Sequence, residues 1–409
     1  MSLLVTNIRT GIGAQPEEII AAARKYAGLC EDQIVSAAVS RTSVDARHSR
    51  PSFVSSVLFD LSVDEQKVAV RCGNPNVIYK KRENLSIIYG SKKLDAPVVI
   101  AGFGPAGMFA ALLLAEHGYP VIVLEQGADV DTRTEKVQTF WKNGILNVST
   151  NVQFGEGGAG TFSDGKLTTR IGDSRCNYVL TRFVEFGAPR EILTKAKPHV
   201  GTDFLKGIVK TIRKRIQSLG GQIYFQTKLT SFSYKGKSLE VSAGKQCFPA
   251  SALVLAIGHS ARDTFYMLAE RGMLMEQKPF SVGVRIEHLQ RKIDEALYGA
   301  YAGHPSLPPG EYQLSHRKGN DAVYTFCMCP GGVVVAASSE EGGIVTNGMS
   351  EFSRNGANAN AALVVSVDSR EFGSGLFDGL EFQKKLEQTA YRMSHQAYTA
   401  PAMTGGGYL

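Results

Sequence analysis

Three glycines and one acid carry the chemistry most legible in this chain. The glycines stand in Gly102-Phe103-Gly104-Pro105-Ala106-Gly107, and the acid is Glu125. At this spacing they could hold a dinucleotide. Gly102 permits a sharp turn, and Gly104 lets a pyrophosphate approach the backbone. Gly107 allows a helix to pack tightly on a sheet. Pro105 suits the first helical position, where a missing N–H costs nothing. The helix N-terminus then offers unpaired N–H groups and partial positive charge to phosphates. Glu125 follows Gly102 by 23 residues, near the about 20 expected of an acid that accepts from a ribose hydroxyl. Such an acid disfavours a 2′-phosphate. A second match, Gly155-Glu156-Gly157-Gly158-Ala159-Gly160, precedes TFSDGKLTTR, which has no apolar helical period. It is therefore not a second dinucleotide turn.

The flanking elements make the context. Val98-Val99-Ile100-Ala101 leads into the glycines as a strand. An apolar helical stretch follows, then a β-branched run ending at Glu125. Residues 96–275 read as the nucleotide domain of an α/β chain. In it the stretch Phe204 to Leu219 is a helix with Phe204, Ile208, Ile212 and Ile216 on one stripe. Gly220-Gly221 ends that helix, and QIYFQTKLTSFSY reads as strand. LEVSAG and QCFPA read as a hairpin, and Leu253 to His259 as a buried strand with its turn. Residues 1–90 read as a small ferredoxin-like α+β domain. Its parts are the strand LLVTNIR, a helix Pro16 to Tyr26, and the strand pair IVSAAVSRTSVDAR and SFVSSVLFDLSV. The charged stretch Lys80 to Asp95 reads as a linker. Residues 276–409, with SVGVRIEHL, AVYTFCMC, GGVVVAASS and ALVVSV, read as a mostly β substrate domain.

Composition sets bounds. The chain has 409 residues, 43% of them apolar, which suffices for two or three cores. It has no uninterrupted apolar run of 18 residues, so no membrane span is expected. The start has no charged region ahead of a long apolar run, so no signal peptide is expected. Six scattered cysteines fit a reducing cytoplasm. The net charge of +7 is concentrated in residues 170–215, with 11 Lys+Arg against 4 Asp+Glu. That stretch is either a solvated face or a footprint for an anionic substrate or nucleic acid.

Longer strings resemble known flavoproteins. Glu125-Gln126-Gly127 with Arg133, and Leu255-Ala256-Ile257-Gly258-His259-Ser260, are similar to the FAD-binding half of glutathione-reductase-type proteins. Ile257 departs from the threonine usual there. FGEGGAGTFSDGKL (154–167), AKPHVGTD (196–203), PFSVGVRIEH (279–288), YTFCMCPGG (324–332) and VTNGMS (345–350) resemble a family of bacterial FAD-dependent dehydrogenases. The resemblance covers nearly the whole chain. It implies a Rossmann-like fold and FAD as cofactor but names no reaction. The expected one is hydride transfer between flavin and a small, anionic metabolite, and the alternative is a flavoprotein acting on nucleic acid through residues 170–215. The resemblance also implies cofactor contacts from Gln126, Arg133, Ala256 and Gly258, with Leu229 at the adenine. Gly157 and Gly158 would leave room for the flat isoalloxazine. With one dinucleotide turn, NAD(P)H would bind only transiently. Such proteins finish with a further strand and a Gly-Glu or Gly-Asp turn at the flavin, which PAMTGGGYL does not match. The last part of the FAD domain is thus expected to be absent or supplied by another piece.

Candidate reacting groups are few. Lys166 could stabilise a reduced flavin or hold an anion, or be a surface lysine. Arg285 could clamp a carboxylate and His288 could transfer a proton. A surface Arg285–Glu287 pair and a core histidine are the plainer alternatives, and His199 and His259 stand similarly. Cys327 and Cys329 share a strand face if the strand is regular, which permits a redox pair or plain core packing. No second cysteine pair completes a metal site. Nucleic acid and membrane are not expected partners.

Overall fold

The structure is a computed structural model that describes residues 2–81, 87–91, 93–169, 171–236, 238–319 and 321–408. Part of the expected linker 80–95 (residues 82–86 and 92) and Arg170, which opens the basic stretch, lie outside the described residues. The chain divides into two compact units.

The first unit is built on residues 1–89. Strands β1 (Ser2–Gly11), β2 (Ile34–Asp45), β3 (Ser52–Leu61) and β4 (Val77–Lys80) alternate with helices α1 (Pro16–Ala27) and α2 (Glu65–Cys72). The sheet order is β2-β3-β1-β4, with antiparallel neighbours throughout. This is the βαββαβ ferredoxin-like arrangement. Period-two alternation aims Val57 and Phe59 inward, where Leu3, Val5, Ile19 and Ala23 meet them. α1 starts at Pro16 with Glu17 and Glu18 in its first turn and ends at Gly28, whose φ is 61°. Residues 166–200 and 288–311 also belong to this unit. The first of these lies along the β2 edge. Thr42 N–H donates to Thr194 C=O at 2.7 Å, and Ala196 N–H to Thr42 C=O at 2.9 Å. The two segments had been grouped by sequence with the nucleotide and β-rich regions. The pairing of residues 194–196 with a strand so distant in sequence leaves no periodic trace.

The second unit holds the parallel sheet. Its strands are β5 (Val98–Ala101), β6 (Val121–Leu124) and β7 (Gln222–Tyr224). An antiparallel trio follows, β8 (Ser231–Lys235), β9 (Ser238–Ala243) and β10 (Gln246–Ala250), then β11 (Ala252–Leu255). The parallel order is β11-β5-β6-β7. Every residue of β5 and β6 is buried, as covered parallel strands require. Helices α3 (Pro105–Glu116), α4 (Val130–Asn143), α5 (Gly201–Ser218) and α6 (Arg262–Glu270) belong to this unit. α5 buries Leu205, Ile208, Val209, Ile212 and Ile216, each contributing about 1.5–3 kcal/mol by transfer.

Two strand expectations change. β11 was expected to be buried, yet it is half-exposed because it is an edge that pairs only with β5. QIYFQTKLTSFSY breaks into β7 and β8. Gln226 takes a φ of 53°, and the chain turns to donate from Gln226 and Thr227 to Gly127 and Glu125 carbonyls.

The β-rich part has two sheets. β12 (Phe280–Leu289), β13 (Ser315–Lys318), β14 (Asp321–Cys329) and β17 (Asn358–Val367) form one, ordered β12-β17-β14-β13. β15 (Val333–Ala337) and β16 (Val345–Met349) form a hairpin. This region also contains α7 (Asp378–Met393), which the mostly-β reading missed. Phe382, Leu386 and Ala390 fall four apart and carried the helical signal. Arg262 at the start of α6 anchors α7 through Glu387 at 2.6 Å and also pairs with Glu340 at 3.2 Å. Among the described residues, no helix is long and apolar enough to cross a membrane.

Candidate functional site

The site begins where β5 turns into α3. Gly102 has φ +100°, and a Cβ there would stand 2.3 Å from the Ala256 carbonyl oxygen. A Cβ on Gly107 would stand 2.0 Å from the Gly102 carbonyl oxygen. Only hydrogen fits at either place, so strand end, turn and helix close on one another. The first amides of α3 are left pointing out of the turn.

A second loop is docked onto that turn. Gly157 N–H donates to Phe103 C=O at 2.9 Å. Gly158 faces Gly104 so closely that its Cβ would lie 3.0 Å from the Gly104 Cα. Glu125 braces the junction. Its Oε2 accepts from Phe103 N–H at 2.7 Å, and its Oε1 from Gly127 at 2.8 Å and Gly155 at 3.1 Å. Those three amides occupy most of the roughly four acceptor positions of a carboxylate. Glu125 therefore does structural duty that its spacing alone did not reveal.

Arg133, expected to touch the cofactor, does not line the cavity. It is fully buried under the 151–156 loop. Nε donates to Asn151 C=O at 2.9 Å, Nη2 to Val152 at 3.0 Å, and Nη1 to Glu156 at 2.6 Å and Gly155 at 3.2 Å. Burial draws its pKa down to about 10, against the pull of Glu125 and Glu156. Its fork shape satisfies carbonyls that no strand or helix could reach. It shapes the glycine loop from behind.

Glu156 fastens the same loop to α4. Its Oε2 accepts from Val130 N–H at 2.7 Å, and Arg213 of α5 lies 3.0 Å from Oε1. Burial pushes its carboxyl above the usual range, while the Val130 amide and Arg213 pull the other way. The raised folded-state value means this carboxyl favours the fold below the ordinary glutamate pKa, about 4.3. That contribution fades as pH rises through the folded value. Glu156→Gln is therefore expected to gain on the parent protein between about pH 4 and pH 7. Urea midpoints at both ends check it, and a pH-independent gap contradicts it.

Between the loops lies a cavity of about 410 Å3, within the usual range for small-ligand sites, about 300–1,000 Å3. Gly102, Gly104, Pro105 and Ala106 line it from the turn. Glu125, Gln126 and Gly158 line it from the loops, and Leu229, Ala256 and Gly258 from the far wall. Gly107 sits behind the turn, and Gly157 faces Thr161 instead. Lys228 and Phe265 also line the cavity and were not singled out by sequence. Lys228 pairs with Asp263 of α6, and burial lowers its pKa.

Of the candidate reacting groups, His259 lines this cavity, whereas Lys166, His199, Arg285 and His288 do not. Lys166 belongs to the first unit, where it pairs with Glu311 at 3.4 Å. Its strand-like partner there is His199. Arg285 is half-buried on β12 and donates from Nη1 to Asn360 Oδ1 at 2.5 Å. His288 is half-buried near the end of the same strand.

The cavity fits a dinucleotide: helix amides stand at its mouth, and the absence of a Cβ at Gly102 lets the turn close onto Ala256 of its far wall. Comparison with known proteins agrees. Residues 97–161 match the family model described as an FAD binding domain. Residues 279–409 match the model described as an FAD-dependent protein, C-terminal domain-like. An uncharacterized protein of Clostridium beijerinckii is 45% identical over 415 residues, covering 100% of this chain and 78% of that protein. The chain belongs to that protein's family, a family of FAD-dependent proteins. FAD is its cofactor, and its chemistry is oxidoreduction. The first model spans the turn, Glu125 and the glycine loop; the second spans Arg285 and both close cysteines.

Solved flavoenzymes overlap only loosely. A thioredoxin reductase from Gloeobacter violaceus is 15% identical over 41% of this chain and 38% of its own, with a TM-score of 0.21. The amino acid oxidase NikD is 13% identical over 67% and 71%, with a TM-score of 0.31.

Proposed function

We propose that this oxidoreductase passes a hydride between its flavin and a small anionic metabolite. The observation that carries the reading is the glycine-walled cavity at the N-terminus of α3. The amides there hold the diphosphate, and the remaining acceptor position of Glu125 takes a ribose hydroxyl. Gln126, Gly158, Leu229, Ala256 and Gly258 border the rest of the cofactor. FAD, once bound, supplies the two-electron chemistry. Arg285 grips a substrate carboxylate and His288 holds a proton. Lys166 has its charge met by Glu311 and is left outside these roles. A nicotinamide donor would bind transiently in the substrate cleft. A cytoplasmic setting accords with the cysteine usage.

The basic stretch supports a metabolite rather than nucleic acid. Arg175, Arg182, Lys195, Lys197, Lys210 and Arg213 each pair with an acid. A phosphate footprint needs cations that can leave their partners.

The test is spectroscopic. The purified protein should show flavin absorbance after FAD loading, and FAD should raise its melting temperature. Anaerobic bleaching should then follow carboxylate- or phosphate-bearing metabolites and not neutral ones. Arg285→Met should raise KM at least about tenfold, the cost of one charge-assisted bond, with the flavin spectrum unchanged. A melting temperature indifferent to FAD overturns the cofactor placement. Bleaching by neutral compounds, indifferent to Arg285, overturns the anionic preference.

A further inference from the structure

β14 is irregular where its two cysteines lie. Phe326 pairs with Ala362 and Cys329 with Asn360. Three steps on β14 thus oppose two on β17, which is a β-bulge. Cys327 sits in the bulge with φ +44°, a left-handed backbone that a non-glycine residue adopts at a cost. Bulges of this kind re-aim side chains. Here Cys327 is exposed and Cys329 is buried.

The surroundings of Cys329 are polar. A Cβ on Gly348 would stand 2.6 Å from each of Cys329 Sγ, Arg285 Nη1 and Asn360 Oδ1. Sulfur and guanidinium nitrogen are therefore at most about 5 Å apart, by simple geometry from that shared point. Arg285 also leans on the Cys327 carbonyl at 3.4 Å. Asn360 is fully buried. Its Nδ2 has no hydrogen-bond partner among the described residues, although its Oδ1 is held by Arg285. A buried donor in that state costs free energy unless a ligand or anion meets it. A sulfur beside a fixed guanidinium and an unused amide donor is a place where negative charge is welcome.

We propose that Cys327 and Cys329 form a dithiol site that exchanges with low-molecular-weight disulfides. The exposed Cys327 thiolate attacks one sulfur of the incoming disulfide. A bond forms between the two sulfurs, the substrate S–S bond breaks, and one substrate thiolate leaves. The Cys329 thiolate then attacks Cys327 Sγ and expels the second substrate thiolate. The two leaving thiolates take up the two protons the cysteines gave. The protein loses two electrons and the substrate disulfide gains them. The bulge serves the closing step. In a regular strand, residues two apart have Cα atoms about 6.6 Å apart, near the far limit of about 6.8 Å for a disulfide. A bulge bends the strand and shortens that span.

The full-length protein, with or without FAD, is equilibrated with mixtures of reduced and oxidised glutathione. It is then alkylated with iodoacetamide and digested for mass spectrometry. With increasing oxidised glutathione, the peptide carrying both cysteines should lose both alkyl groups and become about two mass units lighter than its reduced form. Cys247 and Cys30, also exposed, serve as internal references. Cys329→Ser should trap Cys327 as a glutathione mixed disulfide, forming at least about tenfold faster than at Cys247. Alkylation of both residues at every ratio overturns the proposal, as does a Cys327 no faster than Cys247. Should Cys329→Ser fail to fold, the parent-protein titration decides alone. None of these readouts depends on flavin turnover, so they stand apart from the proposed metabolite oxidation.

Discussion

Arg133→Leu is expected to lose about 3–5 kcal/mol of stability and to release FAD. The side chain does not itself line the cavity, so the effect must pass through the loop it supports, where it holds the lining residue Gly155 from behind. Four carbonyls, from Asn151, Val152, Gly155 and Glu156, accept from this one guanidinium. Leucine fills similar space and donates nothing. Each buried acceptor left unmet costs about 1–3 kcal/mol, although the loop will shift and recover part of this. The cation also balances two buried carboxylates, Glu125 and Glu156. Lysine is a poor substitute, because one ammonium cannot reproduce a planar five-donor fork. Since total stability in such domains is about 5–15 kcal/mol, the variant should be partly unfolded near body temperature. Urea unfolding gives the stability, and flavin fluorescence gives the affinity. A variant within about 1 kcal/mol of the parent that still retains FAD would show that the loop holds itself.

Asp164 and Arg354 should behave as a unit when tested by a double-mutant cycle. Both are buried, and the guanidinium engages the carboxylate through Nε at 2.9 Å and through Nη2. Ser350 also donates to Asp164. Asp164→Ala strands a buried cation and Arg354→Ala strands a buried anion. Each single change is expected to cost about 3–5 kcal/mol. The double variant should cost well under the sum, because no lone charge remains, with a coupling of about 2–3 kcal/mol. Additive losses would mean that the two groups matter through packing alone. The pair also bears on the site, since Asp164 follows the glycine loop and its carbonyl accepts from Gly201 N–H, where α5 begins.

The parts of this molecule readable from sequence are those written in local periodicity. The βαβ unit from Val98 to Glu125 declares itself because sterics demand hydrogen at Gly102 and Gly107, and only glycine supplies it. The first sheet was readable because β3 alternates cleanly between Val57 and Phe59 inside and its neighbours outside. What stayed hidden depends on partners far along the chain. Arg133 was expected as a cofactor contact from the family resemblance, but an arginine near such a turn has two possible kinds of acceptor, cofactor or backbone carbonyl. Only the path of residues 151–156 decides between them. The bracing role of Glu125 rests on amides at Gly127 and Gly155, and no motif encodes the second. α7 was passed over because its apolar stripe is short and none of its residues is fully buried.

The strap at residues 194–196 beside β2 has a consequence for biosynthesis. During translation residues 1–90 leave the ribosome before residues 194–196, with one flank of their sheet still bare. The backbone groups of Thr42 then have no protein partner until more than a hundred further residues have emerged. A nascent chain in that interval exposes a ready template for intermolecular strand pairing. Holding chaperones, or slow decoding that keeps copies apart, would matter most in that window.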